Sequence, residues 1–331
     1  MPGQIRMAQY GTKHGHAEGV LKVMLDNPDV EVTGVYEPDP GRRQELEFCG
    51  HSTWSQVHWY NDPSEFLEDS TVTAVASEGL NQESLGHTEA IVAAGKHVFY
   101  DKPAGDDFHR FDRIIEEARR RNLLVQLGYM FRYHDGFSRI ADWARSGFLG
   151  DVFSMRAHMS TYITEAQRAV IAHHRGGILY DLAGHMLDQV VWLLGRPRRV
   201  SSFLQRAASE TPNFIDNTLG VFEYDSALAF VDIAAMETRP MARRFEVYGT
   251  KGSAIMEPFE PAETLRLCLA EPQGEYPAGV SIIQLEDRPR YVKSLEVFVK
   301  DLRGEKQPDR SLDHELLVQE TLMRATGGLP G

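Results

Sequence analysis

Gln4-Ile5-Arg6-Met7-Ala8-Gln9-Tyr10-Gly11-Thr12-Lys13-His14-Gly15-His16 begins as a strand and breaks at a glycine. A helical pattern follows, with Ala17, Val20, Leu21, Met24 and Leu25 at spacings of three and four. Pro28 closes it, and Val30-Glu31-Val32-Thr33-Gly34-Val35-Tyr36 reads as a second strand ending at Glu37-Pro38-Asp39-Pro40. Further along, helices are expected over 42–48 and 63–69, the latter with Asp62 as cap before Pro63. Val72 to Ala76 is a short apolar run of the kind buried in a parallel sheet. A helix over 82–94 stops at Gly95, and strand, helix and strand follow to residue 127. Strands alternating with helices specify a Rossmann-type, doubly wound parallel sheet over residues 1–128.

The pattern changes over 129–331. A helix at 136–146 precedes a strand at 152–158, and a long helix spans 178–194. Four strand-like stretches follow near 198–206, 216–224, 227–236 and 243–256, with turns at Asp225-Ser226 and Gly249-Thr250-Lys251-Gly252. Helices at 290–303 and 311–325 complete an α+β domain with a largely antiparallel open sheet. This part is expected to bind substrate and to mediate oligomerisation.

A chain of 331 residues can hold two such domains. Its net charge of −13 repels phosphate backbones and argues against nucleic-acid binding. The opening residues are too polar for a signal-peptide core, and no run approaches the ~20 apolar residues of a membrane span. Cys49 and Cys268 stand alone in different halves, so no disulfide framework exists and a cytoplasmic setting is expected.

The Gly11–His16 turn lies where a dinucleotide-binding fold places a pyrophosphate on free helix N–H groups. It departs from G-x-G-x-x-G, with Lys13 and His16 at the second and third glycine positions. An ordinary strand–helix turn explains the stretch equally well. Glu37 adds a second sign. An acid after the second strand can accept the ribose hydroxyls and repels a 2′-phosphate, which favours NAD, with NADP possible because Arg42 and Arg43 are close.

Chemistry is suggested at two further places. Lys102 follows Val98-Phe99-Tyr100-Asp101 and precedes Pro103, so it ends a strand, although a solvated lysine before a turn has the same pattern. Asp181 and His185 are four apart in the 178–194 helix and share one face. A carboxylate beside an imidazole makes a positioned base, or simply a helix-stabilising pair. His14, His16, His173, His174 and His185 show no zinc-type spacing, and no metal is expected.

Taken together these segments resemble the Gfo/Idh/MocA family, oxidoreductases related to glucose–fructose oxidoreductase and inositol dehydrogenase. Ala94-Gly95-Lys96-His97-Val98 through Asp101-Lys102-Pro103 is similar to its A-G-K-H-V…E-K-P segment, and Gly176–Asp188 to its G-G…D-x-G-x-H…D segment. Gly147–Val152 and Phe245–Gly252 resemble its domain-joining and late strand–turn motifs. Asp101 stands for the usual glutamate, and Ala183 for a glycine. The resemblance implies hydride transfer between a nicotinamide and a secondary hydroxyl or carbonyl of a sugar, polyol or cyclitol. It casts Lys102, Asp181 and His185 as catalytic. It implies cofactor contacts from Gly11, Thr12, Lys13, His14, Glu37, Ser77, Glu78, Asn81, His87, Asp101, Lys102 and Arg132. His158, Tyr162 and His174 would join Lys102, Asp181 and His185 around the substrate.

Two rivals use the same fold. One is an NAD-dependent glycosidase or lyase that oxidises its substrate transiently, and the other a non-catalytic sensor of sugars or nucleotides. An open antiparallel sheet, with Val221, Leu228, Phe230, Val231 and Ile233 as apolar positions, points to a homo-oligomer, dimer or tetramer.

Overall fold

The computed structural model of the chain describes residues 3–286 and 289–331. Its first compact unit runs to Met130 and takes in Pro289–Leu316. The elements of this unit up to residue 130 are β1 (Ile5–Tyr10), α1 (Ala17–Asp26), β2 (Val30–Tyr36), α2 (Pro40–Phe48), α3 (Ser52–Ser55), α4 (Ser64–Leu67), β3 (Ala74–Ser77), α5 (Asn81–Ala93), β4 (His97–Tyr100), α6 (Phe108–Arg120) and β5 (Val125–Leu127). The strands form one parallel sheet in the order β2-β1-β3-β4-β5. The strand order reverses between β1 and β3, and in open α/β sheets ligands bind at the carboxyl ends of the strands at such a point. On the outer edge of the sheet, Val35 of β2 makes an isolated parallel bridge with Trp59, a place too short to read as a strand in the sequence.

Local chemistry sets these boundaries. Asp39 caps α2, its side chain accepting the N–H groups of Gly41 and Arg42, with Pro40 pre-shaped for the first turn. Asp107 caps α6 through the Arg110 N–H. β3 is buried along its whole length, as a central parallel strand requires.

The second unit begins at Phe131 and ends with Leu317–Gly331. It holds α7 (Asp135–Arg145), β6 (Val152–His158), α8 (Glu165–Ile171), α9 (Ile178–Leu194), β7 (Arg199–Gln205), β8 (Asn217–Glu223), β9 (Leu228–Ala234), β10 (Arg244–Gly249), β11 (Gly252–Met256), β12 (Thr264–Leu269) and β13 (Gly279–Gln284). Its sheet has eight strands in the order β13-β12-β11-β10-β6-β9-β8-β7. All pairs are antiparallel except β6 with β9. α9 packs against β8 and β9, and the inward side chains Ala229, Val231 and Ile233 are buried there.

Two expectations are corrected. The late helices do not all belong with the second unit. α10 (Val292–Leu302) lies in the first, where Leu295, Phe298 and Val299 join the core and Phe298 meets Phe99 edge-on at 5.5 Å. α11 (Leu312–Ala325) begins in the first unit and ends in the second. An amphipathic helix carries no label for the core it will complete, so the boundary expected at residue 128 could not anticipate this return. The open sheet face is also narrower than expected. Pleat alternation sends Val231 and Ile233 inward and leaves Val221, Leu228 and Phe230 outward, near Phe203 of β7; Val280 and Ile282 are exposed on β13 at the other end of the sheet. The strands β12 and β13 and the helix α8 add elements that the sequence pattern had not suggested.

Candidate active site

In the first unit, strand ends bring the expected cofactor residues to one edge. Gly11 ends β1 at φ +86°, and a Cβ there would lie 2.7 Å from the Gly79 nitrogen. Only glycine lets the loops after β1 and β3 cross this closely. The His14 N–H donates to the Glu78 carbonyl at 3.0 Å and ties the two loops together. Glu37 is 4 % exposed at the end of β2. Its carboxylate accepts the Thr12 hydroxyl at 2.6 Å and the Asp39 N–H at 2.9 Å. An acid fixed in this way suits paired ribose hydroxyls.

The Lys13 ammonium bridges Glu83 at 3.0 Å and Asp39 at 3.2 Å. Those pairs, the Glu83 hydrogen bond foremost, raise its pKa. His87 is a buried support. It stacks on Tyr10 at 4.0 Å beneath Gly79, and burial lowers its pKa to about 4, so it stays neutral. Ser77 is buried and accepts the Thr88 hydroxyl at 3.2 Å, while Asn81 opens α5, half-buried.

Asp101 is the hub of this edge. Its Oδ1 accepts the Lys102 backbone N–H at 2.7 Å, and Oδ2 lies 3.0 Å from Nδ1 of both His14 and His16. Burial penalises its charge, yet the two imidazoles hold Asp101 well below the usual carboxylate range. Burial, and then the Asp101 charge, pushes the fully buried Glu78 well above that range, so Glu78 holds the proton when the two carboxyls share one. Burial keeps His16 below the usual imidazole range despite Asp101. Tyr291, 5.5 Å from the His16 ring and in the left-handed region at φ +67°, completes the group. Burial first, then Asp101 and Glu78, raises the pKa of its phenol. Neither Tyr291 nor the approach of His16 to Asp101 was legible in the sequence. Tyr291 arrives at the start of a distant helix, and Asp101 lies 85 residues from His16. Lys102 is 3 % exposed, far below a solvated turn lysine, and stands where β4 ends.

In the second unit, α9 carries Asp181 in its first turn and His185 one turn later. His185 is fully buried, and its ring meets Phe131 at 5.6 Å. The helix starts at Gly177, whose φ is +52° and whose added Cβ would lie 2.3 Å from the Ile215 carbonyl. Gly177 therefore fixes where α9 begins and so where Asp181 and His185 stand. His174 stacks flat on Tyr180 at 4.6 Å and 12°. Arg132 is locked by a buried carboxylate: Nη2 donates to Asp188 Oδ1 at 2.7 Å and Nε to the same oxygen at 3.1 Å. Through this pair its guanidinium is tied to α9.

His158 is not with the α9 residues. On β6, Met155 and Ala157 point inward, so Arg156 and His158 point to the opposite face. There His158 pairs with Asp232 at 2.5 Å and Glu237 at 3.3 Å, on a groove of about 360 Å³ that Phe230 and Arg244 also line. Tyr162 is 53 % exposed and bridges to Met236. The resemblance had placed both residues near the substrate; the parity of β6, which decides the face His158 takes, cannot be read until the covered face is known.

A parallel nucleotide-type sheet whose strand ends collect an acid, a lysine and a glycine loop defines an NAD-binding oxidoreductase domain, followed here by a second, mostly antiparallel unit. The profile described as "Oxidoreductase family, NAD-binding Rossmann fold" matches residues 6–129, and the "GFO/IDH/MocA C-terminal domain" matches 137–255. The chain belongs to the Gfo/Idh/MocA family. It is 25% identical over 262 residues to myo-inositol 2-dehydrogenase of Thermotoga maritima, covering 75% of each chain. It is 27% identical over 266 residues to scyllo-inositol 2-dehydrogenase (NAD(+)) of Bacillus subtilis, covering 77% of this chain and 75% of that one. The solved structure of GenD2 from gentamicin A biosynthesis, in complex with NAD, superposes with a TM-score of 0.80 at 21% identity, covering 99% of this chain and 95% of that one. At that identity the likeness bears on the fold. Among the described residues, no helix is long and apolar enough to cross a membrane.

Proposed function

We propose that the protein is an NAD(H)-dependent dehydrogenase acting on a secondary hydroxyl, or the matching carbonyl, of a sugar, polyol or cyclitol. The observation that carries this reading is Lys102, a lysine buried at the carboxyl end of β4 beside the nucleotide-side loops. Inositol dehydrogenases among the relatives support the substrate class. Bound nicotinamide supplies the hydride acceptor. The chain supplies the rest. His185 takes the hydroxyl proton, and Asp181, one helical turn away, orients the hydroxyl groups and the imidazole. The Lys102 ammonium stabilises developing alkoxide charge. Glu37 selects NAD over NADP by repelling a 2′-phosphate.

Screening NAD reduction against a panel of sugars and cyclitols tests the reading. Accumulating NADH with at least one cyclic polyol supports it. Bond cleavage without net NADH would make the protein a redox-assisted glycosidase or lyase, and silence across the panel would favour a sensor. The outward apolar residues of the second sheet also favour a homodimer or larger assembly, for which a monomeric mass in light scattering would be decisive evidence to the contrary.

A further inference from the structure

We propose that His14, His16 and Asp101 form a binding site for one divalent transition-metal ion of the Zn²⁺ type, with the buried Glu78 carboxyl beside it. The three side chains come from the loop after β1 and the end of β4. His14 Nδ1 and His16 Nδ1 each lie 3.0 Å from Asp101 Oδ2, and the three donor atoms fall within 4.8 Å of one another. Ligands about 2.0 Å from a tetrahedral zinc stand about 3.3 Å apart. The observed spacing is therefore close to that of a zinc site, and small side-chain rotations would open it.

The donor set also selects the ion. Two imidazoles and a carboxylate suit zinc, cobalt, nickel or copper better than magnesium or calcium, which take oxygen ligands. The cluster is inside the protein. Asp101 is 2 % exposed, and its Oδ1 is already engaged by the Lys102 N–H, which leaves Oδ2 facing the imidazoles. Glu78 supplies the second, independent observation. It is 0 % exposed, and neither carboxyl oxygen accepts a hydrogen bond from an N–H or hydroxyl donor. The buried Glu78–Asp101 pair, even sharing one proton, keeps a negative charge that favours a nearby positive one. An ion held by His14, His16 and Asp101 would supply that charge. The loop is braced before any ion arrives, by the His14 N–H on the Glu78 carbonyl and by Tyr291 against His16.

The test uses the full-length protein without a histidine tag, stripped with chelator and titrated with Co²⁺ and then Zn²⁺. The proposal expects one Co²⁺ per chain with the intense visible bands of a four-coordinate site, displaced by one Zn²⁺. His16→Gln and Asp101→Asn should each weaken Zn²⁺ binding by about 100-fold or more, and Glu78→Gln by about 10-fold. His51→Ala, an exposed histidine paired with Glu18, should change nothing. A His14→Gln/His16→Gln double variant that binds Co²⁺ with wild-type stoichiometry and spectrum would overturn the site. So would a wild type that takes up no ion. If a variant does not fold, the wild-type stoichiometry and spectrum decide alone.

Discussion

The two units deliver their functional side chains in different ways. In the parallel sheet, residues reach the site because their strands end there. Gly11, Glu37, Glu78 and Asp101-Lys102 follow β1, β2, β3 and β4, and every such position opens on the same edge. In the second unit the candidates are spread over a helix and a strand. α9 keeps Asp181 and His185 together by periodicity, whereas His158 lands on the far face of the sheet through the parity of β6. A strand end is a reliable address. A mid-strand position is one only when the covered face is known.

Substitutions can break this contrast, and the largest effects are expected at the chemical groups. Lys102→Met and His185→Asn should each lower kcat by about 10³-fold while NAD affinity, read by fluorescence titration, changes far less. Comparable turnover in either variant would remove that residue from the chemistry. The next effect is on stability. Arg132→Met leaves Asp188 buried without its guanidinium, which should cost about 3–5 kcal/mol in denaturant unfolding. A cost under about 1 kcal/mol would return Arg132 to the role of a ligand. Glu37→Gln should narrow the preference for NAD over NADP by about tenfold, equivalent to about 1.4 kcal/mol. Paired titrations with the two cofactors check it.

The smallest effect is expected across the sheet. His158→Ala should leave turnover within about threefold of wild type, since its ring is on the face away from α9. The hydrogen bond to Asp232 comes first among the causes that raise the His158 pKa. Its stabilisation is therefore fully present below the unfolded value of about 6.5 and is lost as the pH rises through the raised folded value. Solvent reaches both partners, so the gain stays under about 1 kcal/mol. Asp232→Asn should flatten this part of the stability profile, measured as urea midpoints on either side of neutral pH.

Much of the fold was legible in the sequence because glycines, prolines and apolar periodicity mark where elements stop. Gly11, Gly95 and the Pro38–Pro40 stretch lie at real boundaries. β12 and β13 were not legible. β13 carries Val280 and Ile282 on its exposed side and offers no clean alternation of buried and polar residues. The candidate site divides in the same way. Lys102, Glu37, Asp181 and His185 stand out in the sequence because each follows a strand or shares a helix face. The pairing of Arg132 with Asp188, 56 residues away, lies beyond any local pattern. The convergence of His14 and His16 on Asp101 depends on β1 and β4 ending at one edge, which only the folded sheet provides.

Under the proposed function, Lys102 and His185 serve a single chemical step. A double-mutant cycle on the best substrate of the panel tests it directly. If the two act together, Lys102→Met/His185→Asn turns over no more than about tenfold below the slower single variant, because either loss already disables the step. Losses that multiply, with each single variant retaining a measurable part of the rate, would contradict the claim and place the two residues in separate roles.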